Sequence, residues 1–349
     1  MIALITAGGI GSRFWPLSRK SRPKQFLNIV SDKSMIELTV DRLKSLIDIK
    51  DIYVVTSGDQ KRLVLESLKD LPDENVIVEP FGMNTAPCIA LSNLYLSKKY
   101  DKNETVVVLP SDHLIQDEKK FRNYLKLAEK GAQKDNLVTF GIKPDYPATG
   151  YGYIESGEML FDEIYKVKRF KEKPDLKTAE GFIEQGNYFW NSGMFIWKLD
   201  TITKMFEQYQ PEIMQLISEI STIWNNGSDD IIDVYAKMPK LPVDIAIMEK
   251  AEKKAVIPVE FGWSDVGSWE ALYDILDKDI DGNILKAENI TMYSKNNLVM
   301  SKKFVSLIGI NNVALIETDN AILLVDISKT QDVKKIVDVL KTQKRDDLL

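Results

Sequence analysis

Residues 1–26 read MIALITAGGIGSRFWPLSRKSRPKQF, and the interpretation of the whole chain starts from them. The apolar run 2–7 predicts a buried strand, and it leads directly into Gly8, Gly9 and Gly11. Glycines lack side chains, so phosphate groups can approach the backbone N–H groups of such a turn. A glycine turn after a strand is by itself more often only a turn. The residues that follow it therefore carry the functional argument.

Basic residues and prolines follow the glycines within a dozen positions: Arg13, Arg19, Arg22 and Lys24, with Pro16 and Pro23. Ordering like charges on a stiff backbone is unfavourable unless an anion neutralises them, and a triphosphate is such an anion. The turn is not the dinucleotide-binding pattern, because Phe14 stands where the third glycine would be. It is not a Walker loop either, because no Gly-Lys-Ser/Thr follows. An NAD-binding dehydrogenase is thereby disfavoured.

Length and composition are those of a globular protein. The chain has 349 residues, a length that predicts two domains. Of these residues 44% are hydrophobic and 28% are charged. A net charge of −6 argues against general nucleic-acid binding. The single cysteine, Cys88, excludes an intramolecular disulfide and fits a reducing cytoplasm. No apolar run approaches the roughly 18 residues of a membrane span, and no signal peptide is indicated.

Strand and helix patterns alternate through the first half of the chain. Strands are predicted at 2–7, 51–57, 76–80 and 105–113, and helices at 35–46, 60–71 and 85–100. This alternation predicts an α/β fold with a doubly wound, mostly parallel sheet. In such sheets ligands bind at the carboxyl ends of strands, where the polar clusters of this chain fall. Farther along, the pattern of residues 201–224 predicts helical structure.

From about residue 281 the pattern changes to short apolar runs, six to eight residues apart. They begin at Ile284, Ile290, Leu298, Val305, Val313 and Ala321. This spacing predicts a degenerate small β-solenoid or a tight β-meander. We place the domain boundary between residues 278 and 279, and we expect residues 330–343 to form a closing amphipathic helix.

The opening motif resembles the signature G-G-x-G-x-R-L-x-P-L-(x)-P-K of the sugar-nucleotide pyrophosphorylases. Trp15, Ser18, Arg19 and the Gln25-Phe26 pair resemble the mannose-1-phosphate guanylyltransferase branch of that family. The similarity continues through VEPFGMNTAP, PSDH, TGYGYIE, FKEKP, NSGMF, DVGSW and QDVKKIV, so it covers essentially the whole chain. The departures are Phe14, where Leu is usual, and Lys171, where Val is usual. We interpret both differences as matters of packing or of surface composition.

The resemblance implies a nucleotide-diphospho-sugar transferase (GT-A-like) domain over 1–278 and a small C-terminal left-handed β-helix-like domain over 279–349. It also implies transfer of GMP from GTP to α-D-mannose 1-phosphate in a cytoplasmic homodimer, with Arg13 and Lys24 as catalytic groups. Two alternatives stay open. One is a related enzyme for another nucleotide or hexose 1-phosphate. The other is a non-catalytic sugar-nucleotide-binding subunit, which the presence of these basic residues disfavours.

Asp112 ends a predicted strand and has two interpretations. It can be the N-cap of the helix pattern that follows, or a carboxylate that holds Mg²⁺ beside a phosphate. The resemblance favours Mg²⁺ as cofactor, with Asp265 as the second ligand, although SDVGS alone would indicate a turn. His113 is the only histidine. We expect a structural role for it, because the attacking phosphate is already ionised.

Glu79 is the candidate reader of the base, because one carboxylate can accept the adjacent N1–H and N2–H₂ donors of guanine. The alternative interpretation of its segment is a proline-bounded loop capped by Asn84 or Thr85. The nucleotide-binding set implied by the resemblance is Ala7, Gly8, Gly9, Gly11, Ser12, Glu79, Asn84, Thr85, Ala86, Pro110 and Ser111. The sugar-phosphate set is Gly150, Glu172, Lys173 and Asn191. Trp190, Phe195 and Trp197 alternate along a strand-like run and are predicted core residues.

Some members of this branch carry an extra C-terminal domain that isomerises mannose 6-phosphate. Here QDVKKIV lies close to Leu349, and His113 is the only imidazole available to a metal. We therefore expect a transferase without isomerase activity. Its substrates would be GTP and mannose 1-phosphate, with no nucleic-acid or membrane partner.

Overall fold

The computed structural model describes all residues, 1–349. Its strands are β1 Ile2–Ala7, β2 Ile52–Ser57, β3 Val76–Glu79, β4 Thr105–Pro110, β5 Leu114–Ile115, β6 Leu137–Ile142, β7 Tyr153–Phe161, β8 Ile164–Lys171, β9 Tyr188–Lys198, β10 Lys254–Val259, β11 Trp263–Ser264, β12 Ile284–Lys286, β13 Asn289–Met292, β14 Leu298–Met300, β15 Val305–Ile308, β16 Val313–Glu317 and β17 Ile322–Asp326. Its α-helices are α1 Met35–Asp41, α2 Gly58–Ser67, α3 Thr85–Ser97, α4 Glu118–Ala132, α5 Leu176–Gln185, α6 Leu199–Tyr209, α7 Pro211–Asn225, α8 Ile232–Tyr235, α9 Trp269–Ile275 and α10 Val333–Thr342. No helix combines the length and the apolar character that crossing a membrane requires.

The chain folds into two compact units, each assembled from separate segments. The first unit contains Met1–Gly8, Val40–Ser111 and Ile115–Trp263. The second unit contains Gly9–Thr39, Asp112–Leu114 and Ser264–Leu349. The basic stretch after the glycine turn thus belongs to the same unit as the C-terminal strands.

The first unit is built on a nine-stranded sheet with the order β3-β2-β1-β4-β9-β6-β10-β8-β7. The strands β3, β2, β1 and β4 are parallel neighbours, as are β6 and β10. Strands β7, β8 and β9 pair antiparallel with their neighbours. The predicted α/β class with a doubly wound sheet is confirmed, and the parallel strands are those that alternate with helices.

Side chains on both faces of this sheet are buried, as a doubly wound sheet requires. Val106 and Val108 of β4 belong to the apolar core that also contains side chains of α3, α6 and α7. Val107 is equally buried but points to the other face, because strand side chains alternate. On α4, Phe121 contacts Phe140 and Phe261 edge-on, with ring centroids 6.2 Å and 5.3 Å apart.

Parallel pairing brings the ends of neighbouring strands to one edge of the sheet. Thr6 of β1 is in register with Pro110 of β4, and Ser57 of β2 is in register with Glu79 of β3. The residues that follow these strands, including Gly8, therefore emerge at the same edge.

Residues 201–224 are helical, as predicted, but they form two helices, α6 and α7, separated at Gln210. Pro211 is the first residue of α7, and proline disfavours helical geometry at the residue before it. The N-cap of α4 is Asp117, whose side chain accepts a hydrogen bond from the Lys120 N–H at 2.9 Å, so Asp112 is not the cap.

The C-terminal strands of the second unit form a β-solenoid rather than a meander. β12, β14 and β16 pair in parallel, as do β13 and β15, whereas a meander would pair antiparallel neighbours. Only β17 runs antiparallel, against β16. Inside the coils, Asn283 Oδ1 accepts from the Asn297 side chain at 3.0 Å, and Asn297 Oδ1 accepts from the Val313 N–H at 3.2 Å.

The apolar core of the second unit immobilises the basic stretch. Phe14 packs against Trp269 with ring centroids 4.7 Å apart, and the Trp269 indole N–H donates to the Trp15 carbonyl at 3.2 Å. Val333 and Val337 of α10 belong to the same buried cluster. The predicted closing helix is confirmed, and it packs on the stretch that precedes Pro16.

Candidate active site

The second unit carries a cavity of about 280 Å³ that gathers six of the predicted site residues. It is lined by Gly11, Ser12, Arg13, Phe14, Lys24, Asp112, His113, Asp265, Gly267 and Lys334. We call this cavity the basic cleft. Its members come from sequence segments that are far apart in the chain, and the fold of this unit brings them together.

Lys24 is the buried centre of the basic cleft, with 4% of its surface exposed. Its Nζ donates to Asp112 Oδ2 at 2.9 Å, to the Asp112 carbonyl at 3.2 Å and to the Asp265 carbonyl at 2.7 Å. Gly11 has a φ of 72°, and a Cβ at this position would collide with the Lys24 side chain. The glycine is therefore required both for its left-handed backbone and for the close approach of Lys24.

The Asp112 carboxylate is ionised at neutral pH. Burial raises the pKa of Asp112, but Lys24, His113 and the hydrogen bond from Lys24 lower it further, so the net shift is downward. Because Asp112 is not needed as a helix cap, its carboxylate is available for an electrostatic role in the cleft.

Two cations in the basic cleft have no ion-pair partner. Arg13 is exposed on the short turn Ser12–Phe14, and Lys334 is exposed on α10. The sequence motifs predict a role for Arg13 but none for Lys334. The QDVKKIV motif is a signal for it, but that motif alone indicates only an amphipathic helix. The arrangement provides two free positive charges beside a buried ammonium.

The donor set of the basic cleft suits a hard cation. Asp112 and Asp265 both line it, and a Cβ on Gly267 would lie 2.9 Å from Asp265 Oδ2, so the glycine makes room for this carboxylate. No group of three or more His, Cys, Asp or Glu side chains is placed to hold a metal by itself. Two carboxylates with phosphate oxygens are an ordinary Mg²⁺ site, whereas zinc needs three or four protein ligands.

In the first unit, Glu79 lies at the end of β3 and is buried, with 4% of its surface exposed. The Tyr235 hydroxyl donates to Glu79 Oε2 at 2.7 Å. Burial raises the pKa of Glu79, and the hydrogen bond from Tyr235 partly opposes this. Oε1 lies 3.4 Å from the position that a Cβ on Gly8 would take. Tyr235 was not predicted as a site residue, because no motif in its short segment marks it.

The loop after β3 caps a helix, as one interpretation predicts. Asn84 is the N-cap of α3 with a φ of 73°, and its side chain accepts from the Thr85 N–H at 2.8 Å. Thr85 Oγ1 accepts from the Val243 N–H at 2.8 Å, and the Ala86 N–H donates to the Leu241 carbonyl at 3.0 Å. These bonds hold the loop in one conformation.

The remaining nucleotide candidates of the first unit lie at the ends of strands. The Ala7 carbonyl accepts from Thr56 Oγ1 at 2.7 Å, and the Ser111 N–H donates to the Thr6 carbonyl at 3.1 Å. Pro110 is the last residue of β4. In the second unit, Gly9 is exposed.

A polar cluster in the first unit contains three of the four predicted sugar-phosphate residues. Lys173 Nζ contacts Glu172 Oε1. Asn191 is buried and donates from Nδ2 to Asp244 Oδ1 at 2.9 Å. A Cβ on Gly152 would lie 2.7 Å from Glu172 Oε2, so Gly152 must be a glycine for Glu172 to keep its position.

Asp244, which no sequence motif marks, is the most perturbed carboxyl of this cluster. Burial and the negative charge of Glu172 raise the pKa of Asp244 to about 7, against the smaller opposing effects of a backbone hydrogen bond, of Lys173 and of the hydrogen bond from Asn191. Close to neutral pH this group therefore exchanges between a hydrogen-bond donor and an anionic acceptor.

Gly150, the fourth sugar-phosphate candidate, is exposed on a turn, and a Cβ there would meet nothing within 4 Å. The three aromatic residues predicted as core are confirmed as buried: Trp190 at 5%, Phe195 at 3% and Trp197 at 1% exposure.

Comparison with known proteins agrees with this architecture. The family model for nucleotidyl transferase matches residues 2–282, and the MannoseP isomerase/GMP-like beta-helix domain matches residues 287–340. A mannose-1-phosphate guanylyltransferase from Salmonella muenchen is 40% identical over 354 residues, which cover 99% of this chain and 75% of that protein. The chain belongs to the mannose-1-phosphate guanylyltransferase family of nucleotidyl transferases. As a member of this family it is an enzyme.

Two solved structures resemble the chain. One, described as a mannose-1-phosphate geranyltransferase from Thermus thermophilus, has a TM-score of 0.89 at 28% identity, and the match covers 97% of this chain and 99% of that chain. The other, named as a mannose-6-phosphate isomerase from Helicobacter pylori, has a TM-score of 0.62 at 29% identity and covers 76% of this chain and all of that chain. The predicted combination of a guanylyltransferase-type domain with a β-helix-like domain is confirmed.

Proposed function

We propose that the chain transfers GMP from GTP to α-D-mannose 1-phosphate, giving GDP-mannose and pyrophosphate. An oxygen of the sugar phosphate attacks the α-phosphorus in line, the bond to the bridging oxygen of the β-phosphate breaks, and the electron pair leaves with pyrophosphate. The attacking phosphate is already ionised, so no general base is required, and His113 needs no catalytic role. Catalysis then consists of positioning and charge neutralisation.

The observation that carries this proposal is the position of Lys24. Its buried ammonium is held by three oxygens of Asp112 and Asp265, so its charge is preorganised in the basic cleft. All three N–H donors of Lys24 meet protein oxygens, whereas Arg13 keeps its donors available. We infer that Arg13 binds the β- and γ-phosphates directly and that Lys24 contributes charge as pyrophosphate departs.

We further propose Mg²⁺ as the cofactor, held by Asp112 and Asp265. Both carboxylates line the basic cleft, and oxygen ligands are those that Mg²⁺ prefers. When bound, Mg²⁺ neutralises charge on phosphate oxygens. Asp112 has the required negative charge at neutral pH, because its pKa is lowered.

The substrate-recognition groups proposed in the first unit are of two kinds. Glu79 reads guanine through its carboxylate, with Tyr235 holding Oε2 and leaving Oε1 beside Gly8. Glu172 and Asn191 bind sugar hydroxyls, and Lys173 binds the sugar phosphate. Ala7, Gly8 and residues 84–86 are the further nucleotide contacts proposed in this unit.

The decisive experiment is an assay matrix that measures pyrophosphate release. Four nucleoside triphosphates are each combined with the 1-phosphates of mannose, glucose and N-acetylglucosamine. The proposal predicts the highest kcat/KM for GTP with mannose 1-phosphate. A higher value for another pair would assign the chain to the alternative, a nucleotidyl transferase of different specificity.

The isomerase activity named for the Helicobacter pylori protein is a separate one, and we propose that this chain lacks it. Isomerisation of mannose 6-phosphate requires a divalent metal, and imidazole is the usual ligand for such metals. The chain has only one histidine. Fructose 6-phosphate is to be followed after adding mannose 6-phosphate and Zn²⁺ or Co²⁺. Steady formation that survives repurification would contradict the proposal.

Three further properties remain proposals. They are a domain boundary between residues 278 and 279, a homodimer and a cytoplasmic location. Light scattering of the purified protein tests the dimer, and fractionation of cells tests the location.

A further inference from the structure

Lys334 is a cation of the basic cleft that comes from the C-terminal part of the chain. It lies on α10, within residues 287–340 that match the β-helix family model. It is exposed and forms no ion pair. Its neighbour Lys335 is also exposed but pairs with Asp332 at 2.9 Å and does not line the cleft. Two adjacent lysines on one helix thus have different environments.

The helix holds Lys334 in a defined position. Val333 and Val337 are 2% and 5% exposed and belong to the cluster that contains Phe14. The α10 helix packs directly against the short turn Ser12–Phe14, which carries Arg13. The positions of the Lys334 and Arg13 backbones are therefore set by one shared apolar core.

The local electrostatics are unfavourable for Lys334 unless an anion is present. It stands in the first turn of α10, where the positive end of the helix dipole disfavours a cation. The other cationic side chains of the cleft are Arg13 and Lys24, and Lys24 is already neutralised by Asp112. An anion with several charges would remove the repulsion between Arg13 and Lys334. A metal ion without such an anion would increase it.

We propose that Lys334 binds the terminal phosphates of the nucleoside triphosphate and the pyrophosphate that leaves. The β-helix region would then supply a substrate-binding group to the nucleotidyl transfer site, in addition to its structural role. This inference rests on the proposed function, because it takes the ligand of the basic cleft to be a polyphosphate. Lys334 has no role in recognising the base or the sugar.

The test compares Lys334→Gln with Lys335→Gln and with Lys334→Arg. Kinetics are measured in both directions, with GTP and mannose 1-phosphate and with GDP-mannose and pyrophosphate. We expect Lys334→Gln to raise the KM for pyrophosphate roughly tenfold, as the loss of one charged hydrogen bond would, and to raise the KM for GTP. The KM for mannose 1-phosphate and the Tm stay unchanged. Lys334→Arg restores most of the affinity, and Lys335→Gln behaves as wild type.

Calorimetric titration with inorganic pyrophosphate separates this inference from the proposed function. If the wild type releases no pyrophosphate from GTP but binds it more tightly than Lys334→Gln does, the proposed reaction fails and the assignment of Lys334 stands. Equal pyrophosphate affinity of wild type and Lys334→Gln overturns the assignment, whatever the turnover. An equal loss of affinity in Lys335→Gln also overturns it, because the effect would then be one of overall charge.

Discussion

Lys24 and Asp112 lie 88 positions apart in the chain, and their side chains meet at 2.9 Å, Nζ to Oδ2. The lysine side chain is 5% exposed and the aspartate 33% exposed, so the ion pair is only partly screened by water. This pair joins the glycine-turn segment to the strand-end aspartate within one unit. Because Lys24 is paired and Arg13 is not, the roles of these two residues can be separated by experiment.

Lys24→Met should lower both stability and turnover, whereas Arg13→Ala should lower turnover alone. Removing Lys24 leaves the Asp112 carboxylate without its partner, which costs about 1–3 kcal/mol at a partly exposed pair. Arg13 is exposed and unpaired, so its loss leaves Tm unchanged but reduces kcat about 100-fold, as loss of a charge-stabilising donor does. A rise in KM with normal kcat for Arg13→Ala would contradict its proposed catalytic role.

Asp112→Asn and Asp265→Asn should each abolish most Mg²⁺-dependent turnover, because each replaces an anionic oxygen ligand by a neutral amide. The activity is measured as a function of Mg²⁺ concentration, with EDTA as the metal-free reference. Asp117→Asn is the matched control, since Asp117 caps α4, pairs with Lys120 at 3.8 Å and does not line the cleft, and asparagine is an equally good cap. Near-normal Mg²⁺ dependence in either cleft variant would remove that residue from the proposed metal site.

Glu79→Gln should narrow the preference for GTP over ATP by about 1–3 kcal/mol, the scale of a matched bidentate base contact. The carboxylate accepts from two donors of guanine, whereas adenine offers it an acceptor at N1. The ratio of kcat/KM for GTP and ATP is the quantity to measure. Unchanged selectivity would assign base reading to other groups.

Tyr235→Phe provides a second test of the base pocket. It removes the hydroxyl that donates to Glu79 Oε2 at 2.7 Å and leaves the carboxylate in place. Because this hydrogen bond opposes the effect of burial, its loss should raise the pKa of Glu79 further. As the pH is lowered, we therefore expect the variant to lose its preference for GTP at a higher pH than the wild type does.

Gly152→Ala should weaken binding of mannose 1-phosphate, because the added Cβ would lie 2.7 Å from Glu172 Oε2 and displace this carboxylate. We expect the KM for mannose 1-phosphate to rise roughly tenfold with little change in the KM for GTP. Gly181→Ala is the control, since Gly181 belongs to no predicted site and a Cβ there meets nothing within 4 Å. Equal KM values for the two variants would exclude Glu172 from sugar binding.

Asp244 should make the free energy of unfolding depend on pH. Its pKa is raised to about 7 in the folded protein, so the protonated form is the one that folding favours. Its contribution is fully present below the unfolded pKa of about 4 and is lost as pH rises through about 7. In Asp244→Asn, the free energy of unfolding should fall by about 2 kcal/mol less than in the wild type over this pH range, after allowance for partial solvent exposure. Parallel pH profiles of wild type and variant would contradict the shift.

Local sequence patterns were sufficient to predict the α/β class and the glycine turn, but for the C-terminal strands they left a solenoid and a meander open. The spacing of apolar residues within one segment indicates whether that segment is a strand or a helix and which of its faces is buried. This information is contained in the segment itself. The helix boundary at Gln210 was missed although Pro211 marked it, because the apolar spacing continues across the break.

Which charges meet became clear only from the folded chain. The local pattern around Asp112 allowed a cap or a ligand, and the position of Asp117 at the start of α4 showed that Asp112 is not the cap. Tyr235, Asp244 and Lys334 lie in segments that no motif assigns to a site, and their importance comes from partners in distant parts of the chain. Electrostatic interactions and hydrogen bonds depend on distance in space. Sequence spacing predicts such distances within one helix or strand, but not between segments that the fold brings together.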